Sequence, residues 1–187
     1  MQFSIIIPAK NEEANIGGCL DSIASVDWDR SQYEVIVVDN GSGDRTVAIA
    51  QAKGAHVCVK PGLTIAAMRN YGVSQAKGET LVFLDADCTV TVDWLRNASR
   101  YIARDDIVCF GSPPTIPADA TWVQVAWFHI RRRGEQCGEV HWLESMNMFV
   151  RRKEFDAVDG FNEELITCED YDLSLRLKAL GKIVADT

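Results

Sequence analysis

The chain has 187 residues, of which 47% are hydrophobic and 25% are charged. These fractions are ordinary for a globular protein of one domain, and they exclude a disordered chain or a fibre. The formal net charge of -8 argues against a general nucleic-acid-binding protein, because such proteins collect Lys and Arg over a broad surface. An anionic ligand would have to be bound by a metal ion or by a few basic groups at its own site.

Strands and helices alternate through the first half of the chain. Short apolar runs bounded by turn residues predict strands over 3–7, 34–38, 56–59 and 81–84. Apolar residues at helical spacing predict helices after Asn11, which offers an N-cap, and over 45–53 and 65–76. This alternation calls for right-handed crossovers, so we predict an α/β fold with a mainly parallel sheet covered on both faces.

Polar residues follow three of these predicted strands. They are residues 8–12 after the first strand, Asp39 after the second, and Asp85 and Asp87 after the fourth. Ligands of parallel sheets bind beyond the carboxyl ends of the strands, so these residues should border one crevice. Asp85 and Asp87 should point the same way, and a hard divalent cation would relieve their repulsion. The alternative is a polar loop without a metal.

The second half of the chain has a looser pattern. It predicts a helix over 93–103 capped by Thr91, strands over 107–111, 146–150 and 183–185, and a short helix over 152–158. The segment 122–133 has no clean period. A last helix begins near Thr167 and carries Leu173, Leu177 and Leu180 on its predicted inner face. A strand that reaches the last residues predicts that the native polypeptide continues.

Cysteine use and hydropathy bear on the compartment. The six cysteines lie far apart without a Cys-x-x-Cys pair, which favours free thiols in a reducing compartment. The start of the chain lacks the features of a signal peptide, and no apolar stretch approaches the roughly 20 residues that cross a bilayer. We therefore expect a cytoplasmic protein, with any membrane contact peripheral to the inner face.

Five motifs in a fixed order identify a family. They are Ser-Ile-Ile-Ile-Pro-Ala-Lys-Asn-Glu-Glu at 4–13, Val-Ile-Val-Val-Asp-Asn-Gly-Ser at 35–42, Met-Arg-Asn-Tyr-Gly at 68–72, Phe-Leu-Asp-Ala-Asp at 83–87 and Cys-Glu-Asp-Tyr-Asp-Leu at 168–173. Each is weak alone, but together they resemble the family-2 glycosyltransferases. The resemblance implies the GT-A fold, a Rossmann-like three-layer sandwich. A single domain over 1–187, truncated at its C-terminus, would then hold a nucleotide-binding half (1–112) and an acceptor half (113–187).

The resemblance implies a donor site in the first half. Asp39 would hydrogen-bond the nucleotide base, usually uracil, although it could instead open an Asx turn in the loop that follows. Pro8, Ala9 and Glu12 would line the nucleoside, and Glu12 could equally serve only as an acid at a helix N-terminus. Arg69 would lie near the base and diphosphate, with a solvated helix arginine as the alternative.

The aspartates and the last helix take further roles in this resemblance. Asp85 would contact the ribose, and Asp87 would coordinate Mn²⁺ or Mg²⁺ together with the diphosphate. Asp170 would be the general base that deprotonates the acceptor hydroxyl, with Glu169 orienting the acceptor or tuning Asp170. The competing interpretation is a capping box formed by Thr167 and Asp170 at the start of the helix.

The aromatic and basic residues of the second half lie where the family varies its acceptor site. They are Trp122, Trp127, Phe128, Trp142 and the arginines at 131–133. Aromatic faces could bind sugar rings, and the arginines could hold a phosphate or an anionic membrane surface. Buried aromatic side chains and a solvated basic face are the structural alternative.

The expected function is metal-dependent, inverting transfer of a sugar to an acceptor hydroxyl. The donor would be a nucleotide-diphosphate sugar, with UDP as the expected nucleotide. The acceptor would be a carbohydrate or lipid-linked molecule of cell-surface polysaccharide or glycolipid synthesis. The alternatives are a nucleotide-binding module without catalysis, and a sugar nucleotidyltransferase, whose glycine-rich first loop is missing at 8–12.

Overall fold

The computed structural model describes residues 1–116, 120–131 and 137–186, apart from the side chains of Trp127 and Arg131. The strands are β1 Phe3–Ala9, β2 Tyr33–Asp39, β3 His56–Val59, β4 Thr80–Leu84, β5 Ile107–Gly111, β6 Gly138–Glu139, β7 Asn147–Arg151 and β8 Lys182–Ala185. The helices are α1 Ile16–Ala24, α2 Thr46–Ala52, α3 Ile65–Gln75, α4 Trp94–Ile102, α5 Trp122–Arg131, α6 Arg152–Ala157 and α7 Glu169–Leu177.

The strands of the described residues form one eight-stranded sheet in the order β3-β2-β1-β4-β7-β5-β8-β6. Strands β1 to β5 and β8 run in one direction, whereas β6 and β7 run against them. Strand β7 is inserted between β4 and β5 and pairs with both. The predicted mainly parallel sheet is confirmed, and it extends unbroken from the first half of the chain into the second.

Helices cover both faces of this sheet, as the alternation of side chains along β1 illustrates. Phe3 and Ile5 belong to the core cluster that includes residues of α1, α2 and α4. Ile6, between Ile5 and Ile7, belongs instead to the cluster that includes residues of α3, α6 and α7. Successive strand residues point to opposite faces, so one buried strand serves two helical layers. The predicted three-layer α/β architecture is confirmed.

Two local predictions are wrong. Asn11 does not cap the first helix; it adopts a left-handed backbone with φ of 57°, and α1 begins only at Ile16. Asparagine tolerates this conformation better than most residues. Leu180 is 48% exposed rather than on the inner face, because α7 ends at Leu177 and the helical spacing stops there.

Two elements had no counterpart in the prediction. Residues without a clean period form α5, and the two-residue strand β6 pairs with β8 at the edge of the sheet. No helix in the part of the chain that the structure describes is long and apolar enough to span a bilayer.

Candidate active site

The carboxyl ends of β2, β1 and β4 lie side by side in the sheet. The loops after these three strands therefore meet at one edge, as the polar residues at the strand ends predict. Because β7 is antiparallel, its first residue, Asn147, lies opposite Leu84 at the last position of β4. The segment before β7 thus reaches the same edge and adds residues from the second half of the chain.

The loops after β1 and β2 are joined by side chains that accept from backbone N–H groups. The Asn11 N–H donates to Ser42 Oγ at 2.8 Å, and the Glu12 N–H donates to Thr46 Oγ1 at 2.7 Å. The Glu12 carboxylate accepts from Asn15 Nδ2 at 2.8 Å, just before α1 begins. Pro8 and Ala9 are buried within β1. The predicted nucleoside loop therefore has a fixed backbone.

Asp39 lies at the end of β2 and is fully buried. Its Oδ1 accepts from the backbone N–H groups of Gly41 and Ser42, both at 2.9 Å, and its Oδ2 accepts from the Ser42 hydroxyl. This is the loop-opening turn considered as the alternative from the sequence. Contact with a nucleobase would require Oδ2 to exchange the Ser42 hydroxyl for a base N–H.

Arg69, on α3, bridges two carboxylates from distant parts of the chain. Its Nη1 donates to Glu169 Oε1 at 2.7 Å and its Nη2 donates to Asp85 Oδ1 at 3.1 Å. The exposed fractions of the side chains are 4% for Arg69, 10% for Glu169 and 33% for Asp85. We call this group the Arg69 triad. It joins the end of β4 to the first turn of α7.

The surroundings of the Arg69 triad affect its members differently. Burial raises the pKa of Asp85, and the Arg69 guanidinium opposes that rise. Within the described part of the chain, the buried Arg69 Nε has no hydrogen-bond partner. The alternative of a solvated helix arginine is wrong. Direct contact with the base and diphosphate stays a prediction, since both charged ends of the fork already hold carboxylates.

Asp87 is exposed on the loop after β4 and lies next to two thiols. Burial, followed by the negative charges of Asp87 and Asp85, raises the pKa of Cys19 and that of Cys88 to about 12. The carboxylates of Asp87 and Asp85 are thus the charged groups closest in effect to these thiols, although burial is the larger cause of the shifts. Among the described residues, no cluster of three His, Cys, Asp or Glu side chains could hold a metal alone. The donor set suits a cation that completes its shell with phosphate oxygens and water.

Asp170 lies in the first turn of α7 and faces the segment before β7. Its Oδ2 accepts from the Ser145 N–H at 3.4 Å and its Oδ1 from the Tyr171 N–H at 2.8 Å. The N-cap of α7 is Cys168, with a left-handed φ of 63° and no side-chain hydrogen bond. The alternative of a capping box with Thr167 as the N-cap is therefore wrong, although Asp170 does accept one backbone N–H of the first turn.

Two exposed aromatic side chains meet at Tyr171, the residue that follows Asp170. Trp142 and Tyr171 are 41% and 46% exposed, and their ring centroids lie 5.9 Å apart in an edge-to-face arrangement. Trp122 is 81% exposed, whereas Phe128 is half-buried. Buried aromatics, the structural alternative, are thus wrong for Trp142 and Trp122. The side chains of Trp127 and Arg131, and the arginines at 132–133, lie outside the described residues.

Two asparagines at this edge were not predicted as site residues. Asn70 donates from Nδ2 to the Phe161 carbonyl at 2.8 Å and accepts the Phe161 N–H on Oδ1 at 3.0 Å. Asn147 accepts from Trp94 Nε1 at 3.0 Å and donates to Ser112 Oγ at 2.8 Å. An asparagine at the start of an otherwise apolar strand was the available signal for Asn147.

Comparison with known proteins agrees with this geometry. Glycosyltransferase AglE of Haloferax volcanii is 30% identical over 187 residues, which cover 95% of this chain and 62% of that protein. The chain thus spans less than two thirds of this curated relative.

Two solved structures share the fold. The structure of Staphylococcus aureus TarS (residues 1–349, in complex with UDP-GlcNAc) has a TM-score of 0.77 at 24% identity. The match covers 100% of this chain and 56% of the TarS chain. The mannosyltransferase PcManGT of Pyrobaculum calidifontis, in complex with GDP-Man and Mn²⁺, has a TM-score of 0.78 at 20% identity, with coverages of 99% and 56%.

A family model matches the chain directly. Its description is Glycosyl transferase family 2, and it aligns with residues 4–159. That span includes β1 from Ser4 onward, the strands β2 to β7, and Asp39, Asp85 and Asp87. The match shows that the chain belongs to glycosyl transferase family 2, and the strand order and the acidic edge of the sheet agree with it.

Proposed function

We propose that the protein transfers a sugar from a nucleoside-diphosphate sugar to an acceptor hydroxyl, with inversion at the anomeric carbon. The observation that carries the proposal is the Arg69 triad. Through hydrogen bonds of 2.7 and 3.1 Å, it ties the acidic loop after β4 to the helix that presents Asp170. This link supports the proposal, because a displacement reaction requires the groups that bind the donor and the base to keep fixed relative positions.

The donor occupies the edge formed by the loops after β1, β2 and β4. Asp39 binds the base, with UDP as the preferred nucleotide, while Asp85 contacts the ribose. Asp87 and the phosphate oxygens hold Mn²⁺ or Mg²⁺. A cation held there would supply Lewis-acid stabilisation of the negative charge on the leaving diphosphate. The exposed position of Asp87 on the loop after β4, two residues from Asp85, supports this assignment, and so does the Mn²⁺ in the PcManGT structure.

The acceptor approaches from the side of Asp170. The Asp170 carboxylate takes the proton of the acceptor hydroxyl as that oxygen forms a bond to the anomeric carbon. The bond from this carbon to the diphosphate oxygen breaks, and the nucleoside diphosphate leaves with the electron pair. The Trp142 and Tyr171 rings offer an apolar wall beside Asp170, against which a sugar ring of a carbohydrate or lipid-linked acceptor can stack.

Donor binding is tested by thermal unfolding with UDP and with GDP, each with and without Mn²⁺. A ligand at 100 times its Kd stabilises the native state by about 2.7 kcal/mol. For a domain of this size, that corresponds to a rise in Tm of about 5–10 °C. If neither nucleotide raises the Tm in the presence of Mn²⁺, the donor site is refuted.

Catalysis is tested with Asp170→Asn and the matched control Asp172→Asn. Asp172 lies on the same helix but pairs with Arg176 Nη2 at 2.6 Å. We expect Asp170→Asn to lower the transfer or hydrolysis rate about 10²–10⁴-fold and the control to retain it. Equal rates for Asp170→Asn and the wild type would remove this residue as the base. Nucleotide binding without turnover of any donor would favour the binding module.

A further inference from the structure

We propose that Asn70 is a positioning residue for the transfer reaction. It holds the start of the segment 161–168, which leads directly into α7 and which we call the α7 entry loop. Through this loop, Asn70 sets the place of Asp170 in the first turn of α7. The inference rests on the proposed function where it treats Asp170 as the base, but the placement of the loop can be measured without turnover.

The side chain of Asn70 pairs with the backbone at the start of the α7 entry loop. Its Nδ2 donates to the Phe161 carbonyl at 2.8 Å, and its Oδ1 accepts the Phe161 N–H at 3.0 Å. The same Nδ2 donates to Glu163 Oε1 at 2.9 Å. An amide has both a donor group and an acceptor oxygen, so neither aspartate nor leucine could make the same contacts.

The end of the loop is held by the neighbouring residue of the same helix. Arg69, directly before Asn70 on α3, donates to Glu169, the first residue of α7. The loop therefore begins at one residue of α3 and returns to the residue beside it. The backbone is left-handed near both ends, with φ of 68° at Gly160 and 63° at Cys168. A surface loop with ends this close is placed by the contacts at those ends.

Between these two ends the loop has little contact with the core. Residues 162–164 and 166–168 are exposed, and Ile166 is 88% exposed. A segment with so few buried side chains has a low local stability of its own. Its position should therefore depend on its two anchors rather than on packing along its length.

Phe161, the residue that Asn70 binds, connects the loop to the strand that precedes the aspartates. It is 2% exposed, and its ring meets the Phe83 ring edge to face at a centroid distance of 4.9 Å. Phe83 lies on β4, two residues before Asp85. Asn70 thus fixes the backbone of a residue whose side chain packs against that strand.

The backbone before Phe161 approaches Asn70 so closely that a side chain there would collide with it. A Cβ atom at Gly160 would lie 2.8 Å from Asn70 Oδ1 and 2.9 Å from Phe155 Cε1. The left-handed φ of 68° at this position also favours glycine. Glycine at 160 therefore allows the loop to reach the Asn70 amide.

Asp170 depends on the placement of this loop because it lies two residues after the loop ends. Its contact with the segment before β7, from the Ser145 N–H to Oδ2, is long at 3.4 Å and so holds Asp170 weakly. A shift of a reacting group by about 1 Å can lower a rate by about 10²-fold. Loss of the Asn70 contacts should thus slow turnover, while the donor-binding loops after β1, β2 and β4 keep their structure.

The test is Asn70→Ala in the full chain, measured by amide hydrogen exchange and by turnover. We expect exchange in residues 161–172 to become roughly tenfold faster, since the loop loses one of its anchors. The kcat for hydrolysis of UDP-GlcNAc, UDP-glucose or GDP-Man with Mn²⁺, whichever the wild type turns over, should fall about 10–100-fold. The KM for that donor, and the Kd of its nucleoside diphosphate with Mn²⁺, should change less than about threefold.

The matched control for lost stability is Ile23→Val. Ile23 is 1% exposed and belongs to the core cluster that includes residues of α1, α2 and α4. This variant should keep the wild-type kcat and the wild-type exchange in 161–172. If Asn70→Ala does not fold, Glu163→Ala takes its place, because it removes one of the three hydrogen bonds from an exposed residue. It should speed exchange in the loop about threefold.

Wild-type exchange in 161–172 for Asn70→Ala, or for Glu163→Ala in its place, would overturn the proposal. A rise in KM and Kd at constant kcat would overturn it in favour of a donor-binding role of Asn70. An equal loss of kcat in Ile23→Val would overturn it by attributing the defect to general stability. Faster exchange, with no turnover of any donor by the wild type, would support the hold of Asn70 on the loop and refute only the glycosyltransferase function.

Discussion

Replacement of Arg69 by methionine tests the centre of the site, because the Arg69 guanidinium balances the negative charges of two carboxylates. The substitution keeps an unbranched side chain but removes the cation that binds Glu169 and Asp85. Breaking a buried ion pair by removing one partner costs about 3–5 kcal/mol. The Asp85 side chain is 33% exposed, so water screens part of the charge that the substitution leaves unpaired there. Most of the lost stability should come from the more buried Glu169, whose side chain is 10% exposed.

We therefore expect the lower end of that range, about 3 kcal/mol at neutral pH. For a domain of this size, the Tm should fall by about 6–12 °C. The control is Arg45→Met, which removes the pair with Glu13 in which the Arg45 side chain is 79% exposed. Exposed pairs of this kind contribute little, so the control should unfold like the wild type. Urea denaturation of both variants gives the free energies of unfolding.

The pH dependence of the Arg69→Met defect adds a second test. Burial already raises the pKa of Asp85, and the Arg69 guanidinium opposes that rise, so removal of the guanidinium should raise the folded-state pKa of Asp85 further above its unfolded value near 4. The native variant then binds protons more readily than its unfolded chain, so its stability falls as pH rises through this range. The defect should be largest at pH 7 and should shrink toward pH 4. A variant as stable as the wild type at pH 7, or a defect that grows on acidification, would refute the reasoning.

Three further predictions concern separate parts of the molecule. Gly72→Ala should lower the free energy of unfolding by about 1–3 kcal/mol, because the new Cβ would lie 2.4 Å from Ile6 Cγ2; an unchanged urea midpoint would show that α3 can shift. Asp87→Asn should leave stability within about 0.5 kcal/mol but remove the Mn²⁺-dependent part of UDP binding, measured by calorimetry. Retained Mn²⁺ dependence would exclude Asp87 as a metal ligand. Hydrogen bonds from Lys182 and Arg104 lower the pKa of Asp106 from 3.8 to about 2. The ionised carboxylate therefore stabilises the fold above pH 4, and this stabilisation is lost as pH falls toward 2. Asp106→Asn should flatten this part of the acid-unfolding profile, and an unaltered slope would contradict the assignment.

The sequence predicted those parts of the fold that depend on local apolar patterns. The strands β1, β2 and β4 are mainly apolar runs with polar residues at or just after their ends, so both their existence and the position of the acidic edge could be derived. Helix α5 was missed because its apolar residues lie on both the inner and the outer side, which removes the periodicity of a half-buried helix. Leu180 was misplaced because spacing alone does not locate the end of a helix.

The partners of the site residues could not be predicted from local patterns. Arg69 meets Asp85 and Glu169 across sequence separations of 16 and 100 residues, so the triad arises only from the tertiary fold. The same holds for Ser145, whose N–H reaches Asp170 because β7 is inserted next to β4. For Asp170 itself, the spacing to Thr167 allowed a capping box, and only the backbone of Cys168 excludes it.

The insertion of β7 between β4 and β5 also governs how the protein can be assembled during synthesis. Both neighbours leave the ribosome well before Asn147–Arg151, yet the edge that each presents to β7 stays unpaired until that strand emerges. Nascent chains that end earlier would carry the apolar edge of β4 unpaired, an exposed template for aggregation. Pairing of β7 with β4 and β5 and delivery of Ser145 to the site edge then occur in the same late step. A fragment that stops at residue 112 should consequently fail to persist as a monomeric nucleotide-binding unit.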